Sequence, residues 1–148
     1  MRAERGKVVA VSVSTRKGEK KIPVSSATLV EEHGVMNDAH AGPGLRQVSL
    51  LSTESVGKMR AKGLAVGPGD FAENITVEGF GLLDARVGDR IRVGEAVLEI
   101  SQIGKECHDR CAIYFQAGDC VMPREGVFAR VVRGGQVAPG DAVRREEP

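Results

Sequence analysis

The chain has 148 residues and carries 21 Lys and Arg against 20 Asp and Glu, a length that suits one domain, with its core expected over about residues 6–145. The near-neutral balance excludes the one-signed field that draws a protein onto nucleic acid or an anionic membrane. No apolar run is long enough to span a bilayer, and the opening MRAERGKVVAVSVST lacks the continuous apolar stretch of a signal peptide, so a cytosolic protein is expected.

From the N-terminus, KVVAVSVS (7–14) alternates apolar and polar residues as a half-buried strand does, and TRKGEKK supplies an exposed turn before KIPVSSATLV, which predicts a hairpin. RQVSLLS (46–52) is a strand that runs into TESVGKMRAKG, where Ser52 or Thr53 caps a helix over about 53–62 that stops near Gly63. Beyond it ENITVEG (73–79), RIRVG (90–94), AVLEISQIG (96–104) and VFARVV (127–132) are rich in the branched residues that strands prefer. Gly-Asp pairs at 69–70, 88–89, 118–119 and 140–141 punctuate these segments, and their flanks do not repeat, so they mark shared turn chemistry and no solenoid. Many short strands with one main helix predict a mainly β fold with minor α, closed into a barrel because closure removes exposed edges.

All three cysteines fall in CHDRCAIYFQAGDC (107–120). In a reducing compartment, three thiols in so short a stretch point to metal binding or catalysis more than to a disulfide framework. Cys107, His108, Cys111 and Cys120 would make a Cys₃His zinc set, which keeps a structural zinc-binding domain among the alternatives, but the adjacent Cys107 and His108 and the lack of a paired C-x₂-C knuckle argue against it. A redox bridge between Cys107 and Cys111 lacks the C-x-x-C pattern, and a buried, inert thiol is the plain alternative for one of the cysteines. Cys111 stands out because Arg110 precedes it and His108 lies three residues back: nearby positive charge lowers a thiol pKa and exposes a thiolate, a soft metal ligand and a strong nucleophile.

A second cluster, NDAHAGPGLRQVSLLS, places Asp38, His40, Arg46 and Gln47 in a Gly/Pro-rich loop that leads into a strand, and such loops are where binding residues concentrate. Arg46 offers a fork of donors that matches a phosphate, Gln47 can bond a heterocycle edge, and Asp38 also suits the turn itself. A third cluster, PGDFAENITVEG, sets Glu73 and Asn74 just before a strand, where turn chemistry is the plain reading.

Taken together, GPGLRQVSLLS, PGDFAENITVEG, VGDRIRVGEAVLEISQIGKECHDRC and GVFARVVRGGQVAPGDAV resemble the MOSC domain, the module at the C-terminus of molybdenum cofactor sulfurases, in its stand-alone bacterial form. The resemblance implies a MOSC-type β-barrel and a cysteine, here Cys111, that ligates molybdenum or carries sulfur with Arg110 and His108 beside it. It also implies molybdenum cofactor (molybdopterin) held by Arg46, Gln47 and Asn74, with His40 and Glu73 contributing. No PLP site is recognised in this chain, so the implied partner is a separate PLP-dependent cysteine desulfurase or a molybdoenzyme, with neither nucleic acid nor membrane involved. Three functions are compatible with these residues: a sulfur carrier or cofactor-handling module, a molybdenum-dependent reductase of N-hydroxylated substrates fed by a separate electron donor, and a store that binds cofactor without turnover.

Overall fold

The computed structural model describes residues 5–16, 20–104 and 125–146. In chain order its elements are β1 (Arg5–Val13), β2 (Ile22–Val24), β3 (Ala27–Val30), β4 (Gly34–Val35), β5 (Val48–Ser52), α1 (Thr53–Ala61), β6 (Ile75–Glu78), a 3-10 turn (Leu82–Asp84), β7 (Arg90–Val93), β8 (Ala96–Ile103), β9 (Val127–Arg133), β10 (Gly135–Val137) and β11 (Ala142–Arg145). The expected mainly β fold with one main helix is what forms.

Seven strands close in the order β1, β11, β7, β8, β9, β5, β6 and back to β1, giving the barrel that the strand pattern predicts. Pairing around the ring is antiparallel except between β5 and β6. That exception has a local cause. Two consecutive parallel strands need a crossover, and α1 is the crossover. Ser52 Oγ accepts the Ser55 amide at 3.1 Å as N-cap, and Glu54 in the first turn with Lys58 and Arg60 in the last suit the helix dipole.

The ring is filled by branched side chains. Val8, Val11, Val48, Leu50, Ile75, Val77, Ile91, Leu98, Ile100, Val131 and Val143 belong to one buried cluster. Leu51, next in sequence to Leu50, belongs instead to a second cluster with Val56 and Met59 of α1, Val66, Phe71 and Phe128. Successive strand residues face opposite sides, so β5 is buried on both, inside by the barrel and outside by the helix.

The predicted hairpin forms as β1 with β2, in the register Val11↔Val24 to Val13↔Ile22. It stops there, because β3 leaves to pair with β4 and β10 in a separate three-stranded sheet. Pro23 is tolerated since β2 is an edge strand that needs no donor on its outer side.

Three of the four Gly-Asp pairs share one construction. In Gly67–Asp70, Arg86–Asp89 and Ala138–Asp141 the aspartate amide donates to the carbonyl three residues back, at 3.2, 3.0 and 3.1 Å. Its carboxylate accepts the amide of that same residue, at 2.9, 3.0 and 2.8 Å. The glycine between has φ near +90° (+89°, +96° and +94°), the third position of a type II turn. The pair at 118–119 lies outside the described residues.

Gly6 marks the tightest point of the seam. A Cβ there would sit 2.3 Å from the Glu78 carbonyl oxygen and 2.4 Å from the Phe80 amide nitrogen, both backbone atoms that cannot swing aside. Gly6→Ala should therefore push β1 off β6 and lower stability by about 2 kcal/mol, within the usual range for overpacking; urea unfolding measures this, and an unchanged midpoint would show that the seam is looser than drawn.

Candidate functional site

One end of the barrel gathers the C-terminal end of β1, the start of β2, the loop 36–47 and the turn 67–74. At its centre lies Lys21, the residue before β2. Its ammonium donates to Ser14 Oγ at 3.0 Å and to Asp38 Oδ1 at 2.8 Å, and it meets His40 Nδ1 at 2.9 Å. The Lys21 and Asp38 side chains are both 0% exposed, while that of His40 is 35% exposed. A buried charge must be paired and hydrogen-bonded to persist. Asp38 meets that demand, since Oδ1 also accepts the Ser14 amide at 3.0 Å and Oδ2 accepts the His40 amide at 3.1 Å.

The three ammonium hydrogens are thereby matched by three acceptors. Facing a donor at Nδ1, the His40 ring is the neutral tautomer with its proton on Nε2, an assignment made from the network. Burial works to raise the Asp38 carboxyl, but the hydrogen bonds from Lys21 and the Ser14 amide and the lysine charge outweigh it and hold the group below the ordinary carboxylate range. Ala39 N donates to Ser14 O at 2.8 Å, which fastens the 36–42 part of the loop to β1.

Arg46 lies exposed at the other end of the same loop. Its Nε donates to Gln102 Oε1 at 3.2 Å, and its guanidinium stands 5.4 Å from the centre of the Phe128 ring, which orients the fork over β8 and β9. Ser101 Oγ bonds the Leu45 carbonyl, so loop and β8 are joined directly.

The other sequence candidates are committed to the protein. Gln47 is fully buried, its Oε1 accepting the Val131 amide at 2.9 Å and its Nε2 donating to Gly44 O at 3.1 Å. Asn74, also fully buried, accepts the Ser49 amide on Oδ1 at 3.0 Å and donates from Nδ2 to Ser12 O at 3.2 Å. Glu73 accepts from Gly69 N at 3.1 Å, Phe71 N at 3.3 Å and Thr76 Oγ1 at 2.8 Å. Burial pushes its carboxyl upward, and these donors offset only part of that. Gln47 thus fastens the loop that carries His40 and Arg46 to β9, while Asn74 and Glu73 hold the 67–74 turn beside it. Cys107, His108, Arg110, Cys111 and Cys120 lie outside the described residues. Among the described residues no group of three or more His, Cys, Asp or Glu side chains converges to hold a metal ion, and no helix is long and apolar enough to cross a membrane.

Sequence reasoning missed Lys21. It sits in a lysine-rich stretch that reads as an exposed turn, and nothing in composition separates the buried lysine from its solvated neighbours. Asp38 was expected to favour the turn and does so, but it also neutralises that lysine.

The MOSC domain family matches residues 37–144. The fold is similar to that of the YuaD protein of Bacillus subtilis, with a TM-score of 0.79 at 17% identity over 97% of each chain. It is also similar to YiiM of Geobacillus stearothermophilus, with a TM-score of 0.71 at 21% identity over 96% of this chain and 75% of that one. YiiM of Escherichia coli gives 0.69 at 21% identity over 97% and 70%. Among curated proteins none matches the sequence significantly.

Lys21→Met leaves the Asp38 carboxylate buried without its cation and should cost about 3–5 kcal/mol by urea unfolding, with Lys21→Met/Asp38→Leu recovering much of the loss; a single variant as stable as wild type would refute the pairing. Asp38 and Glu73 act in opposite directions with pH. The lowered Asp38 pKa gives stability that is present above about pH 3.9 and lost as pH falls through the folded value. The raised Glu73 pKa gives stability that is present below about pH 4.3 and lost as pH rises through the folded value. Glu73→Gln should abolish that second decline when unfolding is followed upward from pH 4.3, and an unaltered slope in the variant would assign it to another group.

Proposed function

Because the chain belongs to the MOSC domain family, we propose that it binds molybdenum cofactor at the barrel end carrying His40 and Arg46, and that Cys111 serves as its sulfur-carrying or metal-ligating thiol. The observation that supports this most is that one loop carries both a partly exposed imidazole, set in one tautomer by the buried Lys21–Asp38 pair, and, at its other end, an exposed guanidinium. Both groups donate N–H to an anion, and the guanidinium fork suits a phosphate. That donor set fits the phosphate end of a molybdopterin. His40 and Arg46 would hold it, with Gln47, Asn74 and Glu73 keeping the two loops in place.

When bound, the cofactor supplies a redox-active molybdenum to which a soft thiolate is a matched ligand. The protein's share is to bind, to orient, and to present Cys111. In the carrier role the Cys111 thiolate attacks the terminal sulfur of a partner's persulfide, the sulfur–sulfur bond of that persulfide breaks, and the partner leaves as a thiolate while Cys111 becomes the persulfide. Arg110 and His108, close in sequence, favour the thiolate that this attack needs. A PLP-dependent cysteine desulfurase is the chemical class of partner that supplies such a persulfide, and a molybdoenzyme the class that would receive the loaded cofactor.

Protein purified from cells that make molybdenum cofactor tests this through molybdenum and zinc content, pterin fluorescence and intact mass. Arg46→Ala and His40→Ala should each lower bound pterin about tenfold, the loss of roughly one good charge-assisted contact. Cys111→Ser should abolish either bound molybdenum or the mass of one added sulfur atom, and which of the two it abolishes separates metal ligand from carrier. Molybdenum retained by wild type directs assay toward N-hydroxylated substrates with a separate electron donor. Full pterin retention in both loop variants, or stoichiometric zinc in wild type, would overturn the reading.

A further inference from the structure

At the opposite end of β1 from the His40 loop, three arginines stand side by side. Register pairs Arg5 of β1 with Arg144 of β11, and Arg144 with Arg92 of β7. Directly opposed residues project from the same face with Cβ atoms about 5 Å apart, so the row crosses three adjacent strands. It lines a cavity of about 610 Å³ together with Gly6, Gly94, Glu95, Asp141, Ala142 and Val143.

Like charges directly opposed across a sheet are destabilising, so the row asks for an explanation. Elsewhere on this wall the arginines have carboxylate partners. Arg90 has Glu99 at 3.4 Å, Arg145 has Asp89 at 3.2 Å, and Arg92 itself has Glu146 at 3.2 Å. Among the described residues Arg5 and Arg144 have none. Arg92 Nε is buried and donates no hydrogen bond, even with the Glu146 carboxylate beside it. The two acids of the lining face other duties, Glu95 Oε1 accepting the Gln136 amide at 2.9 Å and Asp141 Oδ2 the Ala138 amide at 2.8 Å. Gly6 and Gly94 also line the groove, each packed closely against neighbouring protein atoms on its Cβ side.

We propose that this groove is a second binding site, one that takes the phosphate group of a phosphorylated small molecule, with Arg144 at its centre and Arg5 and Arg92 flanking. The cavity is of the size that holds a small ligand. A row of forked donors matches the geometry of a phosphate monoester, which accepts two parallel N–H bonds from each guanidinium that reaches it. The site is independent of the proposed cofactor loop, since Arg5 and Ser14 are separated by nine steps of β1 and its extension, roughly 30 Å.

The test is titration of the intact protein with AMP, with adenosine as the phosphate-free control, followed by backbone amide NMR. AMP should shift amides of β1, β7 and β11 while adenosine shifts none, and Arg144→Glu should weaken AMP at least tenfold. The same substitution places an acid between two arginines, so it should raise the Tm of the ligand-free protein while it lowers affinity, a combination that a purely structural role does not give. Arg5→Gln, at an exposed position, provides a second variant and should weaken AMP without loss of fold. The proposal fails if AMP shifts nothing at about 10 mM, beyond the weak end of useful affinity, or if adenosine binds equally. It also fails if Arg144→Glu leaves affinity unchanged, or if the shifts map to the His40 and Arg46 loop. A single-stranded oligonucleotide that binds far more tightly than AMP and loses affinity in the same variants would replace it with a polyanion surface.

Discussion

The fold depends on the hydrogen bonding of β1. Along nine residues this strand pairs in turn with β11 at Arg5–Lys7, with β6 from Lys7 to Val11, and with β2 from Val11 to Val13. The first two contacts shut the barrel, and the third carries the chain outward to Lys21. A register irregularity between Val8 and Ala10 lets one strand serve partners on different lines. The ring closes without a bare edge between β6 and β11 because this one strand reaches both sides of the gap.

The polar end of the barrel follows from that closure. Ser12 and Ser14, at the far end of β1, supply a carbonyl to the Asn74 amide and a hydroxyl and amide to the lysine–aspartate pair. The pair itself is an expensive device, because two ions leave water to make it. What it provides is direction. An imidazole on a Gly/Pro-rich loop would otherwise sample many rotamers, whereas here both its ring nitrogen and its own amide are engaged by the pair. Arg46 is directed by different means, a hydrogen bond to Gln102 and the face of Phe128. The buried groups spend themselves on orientation and leave recognition to the exposed ones.

How far the sequence reveals this varies with the physics. Long alternating or branched runs such as 96–104 and 127–132 read correctly because strand period and burial reinforce each other there. The Gly-Asp turns read correctly because positive φ and an acceptor for the amide three residues back leave few alternatives. Two- to four-residue strands such as β3, β4 and β10 are hidden, since they carry too few residues for a period and exist through tertiary pairing. Gln47, Asn74 and Glu73 are conspicuous in sequence for the donors and acceptors they bear, but those same atoms are what a buried turn requires, and only the hydrogen-bond partners show which use is made of them. Lys21 is the converse. Its importance comes from burial alone, and no local pattern announces it.

The pairing of β1 with β11 joins residues from nearly opposite ends of the sequence, and this has a consequence for how the barrel comes into being. During synthesis every other strand of the ring emerges before β11, so until β11 follows them β1 and β7 stand as two bare edges able to zip onto another chain. Each edge carries an arginine at the level that Arg144 of β11 will occupy, Arg5 on one and Arg92 on the other. Charges so placed repel a neighbouring nascent copy that presents the same edge, and β11, which brings Arg144 against both, docks in spite of them through its backbone ladder and the burial of Val143. Arginines that are awkward neighbours in the finished barrel are thus sentries over the unfinished one.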